Sequence, residues 1–208
     1  EEIQNFRDGN DPWKYPNTDL YKETFQKAAS QRSANVSIKG GQEKLKYFIS
    51  AGTLFQDGIY KNSATHYNQS NFRVNLDGEL SKSVKYGIDV AARDQDRNYP
   101  TRSAGDIFQM LRRGKPNMPA YWPNGMNGPD IEYGNNPVVV TTNQTGYDRN
   151  KTTSIETKAN LGIDIPWIKG LSISGNASLD WQLDNDKRWE IPWYLYSWDG
   201  VTYDENNV

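Results

Sequence analysis

Residues 36–58 read VSIKGGQEKLKYFISAGTLFQDG. Two runs of alternating polarity flank a Gly-Gly pair. In the second run Tyr47, Ile49, Ala51, Thr53 and Phe55 share one side. Lys46, Phe48, Ser50, Gly52, Leu54 and Gln56 share the other, which is smaller and more polar on balance. Side chains alternate across a strand, so period 2 on both sides of a tight connection predicts a β-hairpin with one apolar face. Residues 40–43, Gly-Gly-Gln-Glu, are the expected turn. An apolar face must press against something. Yet only 35% of the chain is hydrophobic and its mean hydropathy is -0.90, low for a domain with a large private core.

Composition narrows the classes. Aromatic residues reach 12%, with 13 Tyr and 7 Trp, which argues against a disordered chain. The 24 basic and 26 acidic residues leave a net charge of -2, so nothing points to nucleic acid as a partner. There are no cysteines, hence no disulfide framework and no thiolate metal site. No apolar run approaches the roughly 20 residues of a membrane helix. The chain opens on Glu1 without a signal-peptide pattern and reads as a piece of something longer.

Residues 1–31 read as loop with a short helix over 19–29, capped by Asn17 or Thr18. The period then changes to 2. Strands are expected over 32–40, 45–56, 69–77 and 83–94, so that 32–94 holds four strands. A long insert, 95–151, carries one helix: Ser103 and Asp106 have capping-box spacing, and Gly114 is a natural stop. Two further strands, 153–165 and 171–184, occupy 152–190, and loop returns over 191–208. All six strands pair one apolar or small face with a face of Asn, Ser, Asp, Lys and Arg.

Two architectures satisfy that pattern. In a soluble β-sandwich the apolar faces meet a second sheet. In a transmembrane barrel they meet lipid, and the polar faces line a wet lumen. Alternation alone does not separate them. Several strands run to about nine to thirteen residues, longer than the usual five to six and suited to a tilted membrane strand of about 9–11. Short connections alternate with longer ones, as in an outer-membrane barrel. Trp167, Trp189 and Trp193 stand near strand ends, where either belt residues or core plugs would sit.

Four motifs in order carry a resemblance. They are Asn17-Thr18-Asp19-Leu20; Gly40-Gly41-Gln42-Glu43-Lys44; Gly52 to Gly58 with Gln56 and Asp57; and Arg73, Asn75, Leu76 and Asp77. The first has Leu where the family has an aromatic residue, and the second is preceded by Lys39 where Ser is usual. This block, about the first 80 residues, resembles SusC/RagA-type TonB-dependent outer-membrane transporters. The resemblance implies an all-β, antiparallel up-and-down meander, part of a barrel of about 22 strands around a plug, with long extracellular loops and short helical turns. It implies import of an oligosaccharide or peptide, with a SusD-like surface lipoprotein as lid. The TonB complex would act through an N-terminal part outside this sequence, in the outer membrane of a Gram-negative, Bacteroidota-like bacterium. No catalysis and no cofactor is expected. The competing function is a soluble carbohydrate-binding module with aromatic ligand contacts.

Candidate chemistry is sparse. His66, the only histidine, lies in a loop beside Tyr67 without a hydrolase signature and reads as solvated. Asp180, Asp184, Asp186 and Glu190 suggest a glycosidase carboxylate pair, but a lumen-facing charge row explains them more simply. Asp8, Asn10 and Asp11 have oxygen ligands without the EF-hand pattern and read as a turn. Tyr121 and Trp122, before Pro123 in the long insert, are the candidate ligand contacts, since aromatic faces stack on sugar rings. Packing of the loop against itself or a lid is the alternative.

Overall fold

The structure, a computed structural model, describes residues 1–201. The last part of the loop expected over 191–208 therefore lies outside the described residues. Six strands form one antiparallel sheet in sequence order: β1 (Gln31–Gln42), β2 (Leu45–Asp57), β3 (His66–Ser81), β4 (Val84–Tyr99), β5 (Gly146–Asp164) and β6 (Ser172–Glu190). This is the expected all-β meander. Among the described residues four short α-helices lie before the first strand and in the insert: α1 (Glu2–Asp8), α2 (Leu20–Thr24), α3 (Ala104–Arg113) and α4 (Pro137–Val140).

The register gathers every apolar set onto one face. One row across the sheet reads Ile38, Ile49, Val74, Val90, Thr157, Leu179; the next reads Val36, Ala51, Phe72, Ala92, Ile155, Trp181. Between them on the opposite face runs Ser37, Ser50, Arg73, Ala91, Glu156, Asp180. A slip of one residue in any strand would put its apolar set among these charges, which pins the register. Among the described residues there is no second sheet. The apolar face stays open, with Leu179 75% exposed and Val36, Ile38, Phe72, Ile88, Leu161 and Trp181 also exposed. The sandwich packing is not what this chain adopts.

The connection in the opening hairpin differs from the expected Gly-Gly turn. Gln42 pairs with Leu45, so the loop is Glu43-Lys44, and Gly40 and Gly41 belong to the ladder. The glycine at 40 makes room for a ring. It faces Tyr47 across the strand pair, and a Cβ there would lie 2.6 Å from the Tyr47 hydroxyl oxygen. Gly78 repeats the device beneath Tyr86. A strand glycine of this kind marks a close approach, not a bend.

The strands also outrun their apolar patterns. β4 continues to Tyr99 and β5 starts at Gly146, so the insert is 100–145 rather than 95–151. β6 runs to Glu190 instead of ending at 184. Beyond Asp94, Thr153 and Leu183 the ladder goes on with polar residues on both faces, as in Asp96 opposite Lys151 and Arg149 opposite Lys187. Hydrophobic periodicity stops there, while backbone pairing does not.

The helix expected over 19–29 is only α2. Asp19, not Asn17 or Thr18, is its N-cap, accepting from the Lys22 amide at 3.1 Å. It ends where Phe25 turns extended and bridges to Tyr60, with the Gln26 amide donating to the Ile59 carbonyl at 2.9 Å. Long-range pairing overrides local propensity there. The helix expected after Ser103 is α3, with the full capping box to Asp106 and its C-cap at Gly114. Gly114 is not left-handed; a side chain there would collide with Leu20.

The buried core lies away from the apolar face. Leu20, Ile107, Met110, Leu111, Ala120 and Val138, Val139 and Val140 form it, with Phe25, Tyr60, Tyr121, Ile131, Trp193 and Leu195 packed around. All fourteen come from the segments between and beyond the strands. The chain therefore consists of a bare sheet and a packed cap built from its loops.

Candidate functional site

The cap draws together four segments: residues 1–30, the connection 58–65, the insert 100–145, and residues 191–201. Pro137 at the first turn of α4 and Asn136 as its N-cap, accepting from the Val138 amide at 3.2 Å, start a helix whose valines are fully buried. That short apolar run, Pro137–Val140, was the signal for a core in the insert, and period-based reading passes over four residues. Ile107, Met110 and Leu111 share one face of α3 and meet it.

Trp122 is 9% exposed. Its ring stacks on Trp13 at 5.5 Å with planes 18° apart and lies tilted to Trp198 at 6.4 Å. Its indole N–H donates to the Tyr196 carbonyl at 2.7 Å. Tyr121 is half-buried against the core with its hydroxyl 3.4 Å from the Val138 carbonyl oxygen, and burial pushes its pKa up. The two candidate contact residues thus join first segment, insert and last segment. Asn127 adds hydrogen bonds to Gln144 (3.0 Å) and the Tyr194 carbonyl (2.9 Å).

Where cap meets sheet, Arg102 and Arg188 converge on Glu190. Arg102 Nη1 lies 3.3 Å from Glu190 Oε1, and Arg188 donates to the same oxygen at 2.5 Å and to the Thr101 carbonyl at 2.7 Å. The Arg188 hydrogen bond, with both guanidinium charges, holds the Glu190 carboxyl below its ordinary pKa of 4.5. Arg102 also lies 4.9 Å over the Trp193 ring. Trp193 is thus a cap residue, whereas Trp167 and Trp189 are 80% and 59% exposed and plug nothing.

The polar face of the sheet carries the remaining candidates. Asp180 lines a hollow of about 380 Å³ with Arg73, Asp89, Glu156 and Lys158. Asp184 accepts from Thr152 at 2.6 Å and Gln182 at 2.8 Å, and Asp186 accepts from Asn150. Asp180 and Asp184 are four residues apart on one strand, about 13 Å, beyond the roughly 5–9.5 Å of a glycosidase pair. Asp184 and Asp186 are occupied by hydrogen bonds within the sheet. A second hollow of about 450 Å³, between Tyr60, Tyr99, Arg102, Asp148 and Arg188, opens where this face meets the cap.

His66 begins β3, with Nδ1 2.8 Å from the Ala64 carbonyl oxygen and Nε2 3.9 Å from Asp96, away from any nucleophile–base arrangement. Asp11 accepts the amides of Trp13 (3.0 Å) and Lys14 (3.2 Å), which makes the 8–11 segment a turn. Among the described residues no group of His, Asp and Glu is placed to hold a metal ion, and no helix is long and apolar enough to cross a membrane.

No family model matches the chain. A TonB-dependent receptor of Formosa agariphila is 33% identical over 143 residues, 65% of this chain. The fold of the RagAB peptide importer in its closed-closed state covers 85% of this chain at a TM-score of 0.66 and 17% identity, a likeness of fold alone. The chain spans only 14% of the receptor's length and 20% of the importer chain's. By sequence the chain thus matches a segment of a TonB-dependent receptor, in keeping with the resemblance carried by the motifs in residues 1–80.

Proposed function

We propose that the chain is a wall segment of a TonB-dependent outer-membrane importer. The observation that carries this reading is the uncovered apolar band. On β6 it runs from Ile173 to Leu183, ten residue steps. At a rise of about 3.4 Å this is about 34 Å along the strand. A tilt of about 40° reduces it to about 26 Å, against an outward band of about 25 Å in transmembrane barrels. Lipid covers this face, which is why the chain needs no second sheet. The polar face, with Arg73, Glu156 and Asp180, lines the interior. β1 and β6 each leave one ladder edge for the neighbouring strands of the whole barrel, since open edges do not persist in lipid.

In this reading the loop cap is extracellular. The solute is a glycan or peptide oligomer, the latter in keeping with the peptide importer whose fold it shares. A SusD-like lipoprotein lid would meet the loops, and TonB would act on a part outside this chain. Tyr121 and Trp122 take part through the cap wall they assemble, and a solute passing the cap would meet that wall.

The experiment is a facing test in the full-length parent protein. Leu179→Cys and Asp180→Cys, adjacent residues on opposite faces, are introduced into a cysteine-free background. In bilayers a water-soluble maleimide labels the cysteine at 180 and spares that at 179. Equal labelling of both would refute the barrel wall.

A further inference from the structure

Above the apolar band, the outward face of β5 and β6 turns basic. Arg149 and Lys187 stand directly opposite each other, two rows beyond Leu183, the last apolar residue of the band on β6, which faces Thr153. Like charges directly opposed on one sheet face repel unless an anion lies between them. Neither has a carboxylate partner among the described residues. Instead both approach the Tyr147 ring, at 4.5 and 6.0 Å from its centroid. The carboxylates of the adjoining strand are engaged: Asp94 with Lys151 (3.5 Å) and Thr153 (2.6 Å), Asp96 with His66 (3.9 Å). Asp148 and Asp186 fall on the opposite face by alternation. In the next row Tyr147 pairs with the exposed Trp189, so an aromatic pair adjoins the two cations.

Four residues separate Leu183 from Lys187, about 14 Å along the strand and about 10 Å in height at barrel tilt. Arg and Lys side chains are long enough to bend down from that row into the headgroup layer. We propose that Arg149 and Lys187 form a binding site for the phosphate of an anionic lipid headgroup in the outward leaflet, with Tyr147 backing both cations. The phosphate supplies the charge that the opposed pair lacks. The proposal rests on the barrel-wall reading.

The test uses the full-length parent in nanodiscs of phosphatidylcholine with added phosphatidylglycerol, reading retained phosphatidylglycerol by native mass spectrometry. Each cation near a membrane surface contributes about fivefold in affinity, so Arg149→Gln with Lys187→Gln weakens retention about 30-fold. Lys44→Gln, in the turn at the other end of the sheet, leaves it unchanged. Inorganic phosphate does not displace the lipid. Equal retention by the double variant overturns the proposal, as does displacement by inorganic phosphate, which would make the site one for the free ion. The cysteine at position 179 is probed in the same samples. If it stays protected while retention is unchanged, the headgroup site fails and the barrel wall stands. If it is labelled, the wall itself has failed.

Discussion

Replacing Ile107 with alanine separates the two halves of this architecture. Ile107 is fully buried on α3, facing α4 across the cap core. The change removes three buried carbons, about 2.4 kcal/mol at about 0.8 per methylene. A residual cavity of some tens of Å³ adds about 1 kcal/mol. The total, about 3.5 kcal/mol, is a large part of a domain's stability margin. Hydrogen exchange followed by mass spectrometry on the full-length parent in bilayers reads it locally. Amides of 104–113 and 137–145 that open with the cap exchange up to about 300-fold faster, at about 1.4 kcal/mol per tenfold. Amides of β2 to β5 keep their protection, because no strand side chain belongs to that core. Leu179→Ala, on the open face, moves neither set by more than about 1 kcal/mol. Loss of protection throughout the sheet on truncating Ile107 would refute the division into bare sheet and separately packed cap.

Gly78→Ala drives a Cβ to within 2.5 Å of the Tyr86 ring and costs about 1–3 kcal/mol; adding Tyr86→Ala recovers part of this, seen as non-additivity in a double-mutant cycle of thermal unfolding. Ser103→Ala removes the capping box of α3 and costs about 1 kcal/mol, read as faster exchange confined to its first turn. Because the folded-state pKa of Glu190 is depressed, its contribution is present above its ordinary value of 4.5 and is lost as pH falls through the depressed value. Acidification below about pH 4.5 therefore loosens the Arg102–Glu190 link, followed by fluorescence of the adjoining Trp193 against a Trp193→Phe control, and Glu190→Gln removes that acid dependence. Trp122→Ala removes the ring that stacks on Trp13 and touches Trp198 and costs about 3–5 kcal/mol in the cap; a fall in solute binding together with faster exchange over 191–201 identifies its role as structural support for the cap wall, whereas a fall with unchanged exchange identifies direct contact.

Much of the sheet was legible in residues 36–58 and their counterparts. Val36, Ile38, Tyr47 and Ile49 alternate with more polar neighbours, and that contrast between faces persists in any register that keeps the faces apart. The same logic marks where reading along the chain stops. At Asp94, Thr153 and Leu183 the contrast between faces disappears, so nothing in the pattern says that β4, β5 and β6 continue for several more residues. Their continuation is decided by ladder hydrogen bonds, which are blind to side-chain polarity. The Gly-Gly pair is a second instance. A glycine reads locally as a turn, but Gly40 is in the ladder because Tyr47, reached only through the pairing, lies over it.

The cap was the least legible part. Pro137–Val140 is too short for any period, and its partners Leu20, Ile107 and Trp193 come from three distant segments. Trp13, Trp122 and Trp198 likewise meet only once the sheet has brought their loops to one end. Face polarity, strand count and the helix after Ser103 follow from neighbours in the chain, where steric alternation and local hydrogen bonds act. The location of the core follows from contacts between residues up to about 170 positions apart, whose cost in loop closure is met only by the assembled meander.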